Sequence, residues 1–293
     1  MTINFNLYFF RAAFIFLYVV AAPLAWGESR VIEADFDGDG KIDKATYSYG
    51  NSDIHLDYYS SKIKRTKKYE ILKIDECSSM QLYKLKNEPQ LVVDGSCSGQ
   101  GGQIYLYIYA WNSSIDEWCL KREITGENAD LPSGKIFPSE SVSRVTACSR
   151  IGEYGNFSYV AKSDIDSEID KRLSVVGNFK INENLRREFI GNLTDIDVIE
   201  IANHLENKNV QAANDLAFYM LDSARYYSAG QLLYQIVMSY PDRVVAKLNL
   251  ADAYWNIEGA KDLAKKMYKE YAEQMKRLGK SSKIPDRVSE RYK

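Results

Sequence analysis

Histidine is nearly missing from this chain: 293 residues hold only His55 and His204, about 150 residues apart. Imidazole is the usual general base and metal ligand near neutral pH. A histidine-centred triad or metal cluster therefore lacks its material, and His55 reads as a half-buried strand residue and His204 as a helix-face residue. An excess of either charge is also lacking. Lys and Arg total 38 against 40 Asp and Glu, a formal net charge of −2. That balance argues against nucleic acid as a partner. The four cysteines contain no Cys-x-x-Cys pair, which disfavours zinc. A nucleophile motif is absent too. Gly95-Ser-Cys97-Ser-Gly99 has the outline of a nucleophile elbow, but an elbow needs a strand before it and a helix after it. Here Gly99-Gln-Gly-Gly102 and a second strand follow, so Cys97 reads as half of a disulfide in a hairpin. The same glycines lack the Lys-Ser/Thr and helix start of a phosphate loop. No catalytic residue is expected.

What is present begins with an export pattern. Residues 1–11 carry one positive charge, Arg11, and no acid; residues 12–24 are apolar apart from Tyr18. Ala25-Trp26-Gly27 then places small residues before Glu28, as at a signal-peptidase site. Residues 1–27 are expected to be a cleaved signal peptide, with no cysteine near the junction for a lipid anchor. Removing Arg11 leaves 37 − 40, a mature charge of −3 over 293 − 27 = 266 residues. The expected place is the periplasm, with no stable membrane insertion after cleavage.

Cys77, Cys97, Cys119 and Cys148 all lie in the first half of the mature chain. An even count in an exported protein reads as two disulfides. Three pairings exist; Cys77–Cys97 with Cys119–Cys148 is favoured, because each closes a local loop between neighbouring strands.

Patterning changes midway. Residues 28–162 read as an antiparallel β domain, sandwich or barrel-like. Ile54-His-Leu-Asp-Tyr58 alternates in polarity, Gln90 to Asp94 is a short buried strand, and residues 104–111 and 117–124 form a β-branched, aromatic hairpin. Residues 144–149 and 157–160 read as further strands. Residues 163–208 read as a connecting segment, holding one strand or a short helix up to Asn192, and then a helix capped at Thr194-Asp195. From residue 209 to 293 the period is about 3.6. The fold class is α+β, a β domain followed by helical hairpins.

Residues 35–43 are the sharpest signal. Asp35, Asp37, Asp39 and Asp43 occupy positions 1, 3, 5 and 9 of one loop, with Gly38 and Gly40 between them. Carboxylates this close repel one another unless a cation sits among them. An oxygen-only set suits calcium, which takes six to eight oxygens.

Two resemblances follow. Leu216, Ala217, Ala229, Leu233, Ile236 and Pro241 sit at offsets 7, 8, 20, 24, 27 and 32 of a 34-residue frame starting at Val210. Residues 210–275 thus resemble tetratricopeptide repeats. In the second frame Leu250, Ala251 and Tyr254 recur, and Ala264, Tyr268 and Ala272 come one place late. Two repeats need a cover at the open end, from the residue 194–206 helix or the β domain. Residues 35–43 resemble the calcium loop of FG-GAP β-propeller families. That likeness implies side-chain oxygens from Asp35, Asp37, Asp39 and Asp43 and a backbone carbonyl from Lys41. The loop occurs once, so a full propeller is not expected. Thr46 stands where an EF-hand requires Glu.

The expected function is that of an exported, non-catalytic module binding a protein or peptide through its helical repeat or β domain, with structural Ca2+. The alternatives are an immunity protein against an interbacterial toxin, by fold analogy alone, and an envelope hydrolase, for which no motif speaks. Tyr105, Tyr107 and Tyr109 alternate along one strand, as either a contact stripe or core packing.

Overall fold

The computed structural model describes residues 29–51, 53–72, 80–86, 88–97, 99, 101–130, 136–153 and 157–292. The expected signal peptide, Cys77, Ser98 and Gln100 lie outside these residues. The described chain forms two compact units, divided between residues 161 and 162. It is an α+β protein: two antiparallel sheets of four and five strands, then eight α-helices among the described residues.

The first sheet is a meander of β1 (Arg30–Ala34), β2 (Asp43–Tyr49), β3 (Asp53–Ser60) and β4 (Arg65–Leu72). The second is β5 (Gln81–Lys84), β6 (Gln90–Asp94), β7 (Gln103–Asn112), β8 (Glu117–Glu127) and β9 (Ser139–Arg144). Strict alternation sets the faces. In β3, Ile54, Leu56, Tyr58 and Ser60 point into the core, while His55 and Tyr59 face out. A one-residue slip would reverse every side chain. Both sheets supply one apolar core, and no ladder joins them among the described strands. The unit is therefore layered, not a closed barrel. At its centre Tyr58 from the first sheet packs on Trp111 and Trp118 from the second, with ring centroids 4.4 and 5.1 Å away. Each such aromatic pair adds about 0.5–1.5 kcal/mol beyond area burial. Lys67 of β4 reaches across to Glu117 at 2.8 Å and lies over the Trp111 ring.

Three local expectations change. The strand expected at 144–149 lies earlier, as β9, and only isolated bridges, Cys119 with Arg150 and Val145 with Tyr159, mark the later segment. Tyr107 and Tyr109 are buried and Tyr105 packs against the same core, so the stripe is packing and not a contact face. Residues 163–192 hold two helices, α1 (Lys162–Leu173) and α2 (Glu183–Asn192), joined by a 3-10 turn.

The helical unit continues with α3 (Asp195–Asn203), α4 (Val210–Asp222), α5 (Tyr226–Ser239), α6 (Val244–Asn256), α7 (Lys261–Arg277) and α8 (Asp286–Arg291). From α4 to α7 each helix packs on the next, α4 also touches α6, and α8 packs on α7. Connections of three or four residues enforce this order. Ala217, Ala229, Ala251 and Ala264 are wholly buried; small residues there let helices approach. The other end is covered by α3 against α5 and by Phe179, whose ring meets Tyr219 of α4 at 5.5 Å. A capping box closes the start of α3: Asp197 N–H donates to Thr194 Oγ1, and Thr194 N–H donates to Asp197 Oδ2.

Candidate metal centre

The acidic loop joins β1 to β2, and its shape follows from its own hydrogen bonds. Asp39 N–H donates to Asp35 Oδ1 at 3.0 Å and Gly40 N–H donates to Asp35 Oδ2 at 2.9 Å. Lys41 N–H donates to Asp39 Oδ1 at 2.8 Å. Side chains that accept from amides two to five residues on wrap the backbone into successive tight turns. Gly38 and Gly40 carry φ of 73° and 83°, a region costly to side-chain-bearing residues.

Neighbouring turns hold the loop from outside. Ser60 Oγ donates to Asp37 Oδ2 at 2.7 Å, and Ser61 Oγ donates to Asp39 at 3.2 Å. Ser113, in the β7–β8 turn, donates its hydroxyl to the Asp37 carbonyl at 3.1 Å. Both sheets thus grip one loop.

The result brings Asp35, Asp37 and Asp39 together. One carboxylate oxygen from each lies within 4.8 Å of the others, and all three side chains are half-buried. Among the described residues no Lys or Arg forms an ion pair with them. Each carboxylate has about four lone-pair sites, and the hydrogen bonds above fill only some of them. The donor chemistry fits a hard cation: three carboxylate oxygens, partly shielded from water, with no ion-paired cation among the described residues.

Asp43 sits apart from this group and is fully buried. Its Oδ2 accepts from Phe36 N–H at 2.9 Å, Asp37 N–H at 3.2 Å and Tyr58 Oη at 3.0 Å, and its Oδ1 accepts from Ser61 N–H at 2.7 Å. Burial, and next the Asp43 carboxylate, push the Tyr58 phenol far above its ordinary pKa. Nothing in the loop's spacing distinguishes this fastening role from a ligand's. The signal lies elsewhere: Tyr58 and Ser61 stand 15 and 18 residues on, at the end of β3 and in the turn after it.

The remaining expected residues are dispersed. Cys119 and Cys148 are disulfide-bonded to each other, and Cys97 is disulfide-bonded as well. β7 follows the Cys97 hairpin where an elbow would need a helix. His55 is exposed on β3 beside Asp53. His204 is buried at the C-terminus of α3, with Nδ1 2.5 Å from Asp166 Oδ1. No family model, curated protein or solved structure matches the chain.

Proposed function

We propose that the protein is an exported, periplasmic binding module that recognises a protein or peptide through its helical unit. In this reading α4–α7 are two tetratricopeptide-like hairpins, and Asp35, Asp37 and Asp39 hold a structural calcium ion in the β unit. The carrying observation is a contrast within the helices. Alanines and large apolar residues together fill the buried contacts of the stack, yet further large apolar side chains are left outside: Phe218 on α4 is 51% exposed, Val245 on α6 60% and Leu278 after α7 51%. Repeat stacks use such faces to hold partners. The ion would brace the β unit, with no substrate approaching it.

The experiment is cross-linking of the purified full-length protein in envelope extract, beside a variant carrying Phe218→Ser, Val245→Ser and Leu278→Ser. A captured polypeptide that disappears with the variant supports the reading. Identical capture by both proteins, with both folded, removes the helical unit from the binding role.

A further inference from the structure

The helical unit contains a cavity of about 380 Å³ between the beginning of α6 and the end of α7. Its charged lining is of one sign. Arg243, Lys280 and Lys283 face it, and none of its lining residues is acidic. Among the described residues none of these three cations pairs with a carboxylate. Arg243 is instead held by a neutral group, donating to Gln211 Oε1 at 2.9 Å. Asp215 stands just outside the lining and accepts from Gln211 Nε2 and Asn214 Nδ2.

Two further features agree. The first turn of α6, Val244 to Ala246, opens into the same cavity; Ala246 N–H donates to the Arg243 carbonyl at 3.1 Å, and Arg243 offers the N–H groups of Val244 and Val245 no side-chain acceptor. Those groups carry partial positive charge. Val245 and Leu278 form an exposed apolar rim. The position of Lys280 is fixed: Gly279, with φ of 68°, ends α7, and Lys280 N–H returns to the Met275 carbonyl at 2.9 Å. A second cavity, about 280 Å³, also contains arginines, Arg287 and Arg291. Both donate to Asp252 at 2.9–3.0 Å, and Asp222 lines the same cavity, so its lining is of mixed sign.

We propose that the first cavity docks an acidic, extended peptide segment of the partner, with two side-chain carboxylates on Arg243, Lys280 and Lys283 and an apolar residue between them on Val245 and Leu278. This rests on the interaction reading above and names the partner's chemistry. A volume near the low end of the roughly 300–1,000 Å³ of small-ligand sites suits a few side chains, not a folded surface. Three unbalanced cations suit more than one carboxylate, and the rim supplies the apolar contact.

The test uses the full-length protein and a hexapeptide alternating glutamate and leucine, capped at both ends and fluorescently labelled, read by anisotropy. Its counterpart has every glutamate replaced by glutamine. Binding of the acidic probe should be at least ten-fold tighter than that of the glutamine probe. It should weaken at least ten-fold in 0.5 M salt, where charges are screened within a few ångströms. Lys280→Gln with Lys283→Gln should cost about ten-fold with an unchanged melting temperature, since both side chains are exposed. Equal affinity for the two probes overturns the proposal, as does the absence of saturable binding up to 5 mM probe (about −3 kcal/mol). Binding only when the probe's C-terminus is left free also overturns it, because the site then reads chain ends. A partner captured from extract while the acidic probe fails overturns this inference alone.

Discussion

Tyr58 donates its hydroxyl to Asp43 Oδ2 at 3.0 Å, and neither side chain reaches solvent. This bond helps connect the acidic loop to the aromatic centre of the β unit: the Tyr58 ring meets Trp111 and Trp118, and the loop's own Phe36 ring packs on Tyr58 and Trp118. Asp43 also takes the N–H groups of Phe36, Asp37 and Ser61. The loop thus has two layers: an inner carboxylate that fastens it and an outer group of three.

The layers predict different mutant behaviour. Asp43→Ala strands three amides and a phenol, each at about 1–3 kcal/mol when left unsatisfied in a buried site. A loss of about 3 kcal/mol or more is expected in chelator. Asp37→Ala gives up the Ser60 contact, worth about 1 kcal/mol, and one of the two acceptors of Asp39 N–H, which keeps Asp35, and it relieves repulsion with Asp35 and Asp39. Its net cost in chelator should stay near or below 1 kcal/mol. Urea denaturation of both variants checks this, and equal losses would refute the division of roles.

Calcium should stabilise the folded protein only through the outer group. Affinity is expected on the order of 0.1–1 mM, the range of extracellular modules. At free calcium of about 100 times the dissociation constant the gain is roughly 2.7 kcal/mol by mass action. Magnesium should do much less, since it prefers a small octahedral shell with its own waters. Asp37→Ala should abolish the calcium response. Melting curves that coincide in calcium and in chelator would leave the loop an acidic turn.

The Cys119–Cys148 bond closes a loop of 29 residues' separation. Constraint of the unfolded chain over that length is worth about 3–4 kcal/mol. Cys119→Ser with Cys148→Ser should therefore lower β-unit stability by about that amount and leave the helical unit's melting unchanged. In a Trp255→Phe background, which removes the tryptophan of α6, Trp111 and Trp118 report the β unit by fluorescence, and far-ultraviolet dichroism follows the helices. Equal shifts in both signals would contradict a bond that serves the β unit alone.

Much of the fold was legible because periodicity and burial coincide. β3 and β7 bury alternate or continuous apolar residues, and α4–α7 bury theirs at the repeat offsets. β4 was not legible. Its sequence, Arg-Thr-Lys-Lys-Tyr-Glu-Ile-Leu, is half charged, and it becomes a strand through pairing with β3 and the inward Tyr69 and Ile71. α1 was hidden for a related reason: its buried stripe is only Ile165, Ile169 and Leu173. The acidic loop was legible as a chemical group, but not the separation of Asp43 from the other three. That depends on which carboxylate meets Tyr58 and Ser61, partners in a different hairpin.

Asp197 couples α1 to α3 of the helical unit and predicts an acid limit to its stability. It caps α3 through Thr194 and receives Arg172 of α1 at 2.9 Å. Burial pushes its carboxyl up, but the hydrogen bonds from Arg172 and Thr194 outweigh this and hold the pKa below its ordinary value. A depressed folded-state pKa contributes stability that is present above the unfolded value of about 3.9 and is lost as pH falls through the folded value. The helical unit should therefore weaken as pH drops below about 4. Asp166 and Asp170 add to the same slope: Lys162 and His204 outweigh burial for the first, and Lys208 and Asn209 lower the second. Asp197→Asn keeps the shape of the cap, removes the charge facing Arg172, and should cost about 1–3 kcal/mol at pH 7. It should also flatten part of the decline between pH 5 and 2, with Asp166 and Asp170 carrying the remainder. Urea midpoints of both proteins across that range give the slopes, and parallel curves would show that Asp197 is not a source of the acid sensitivity.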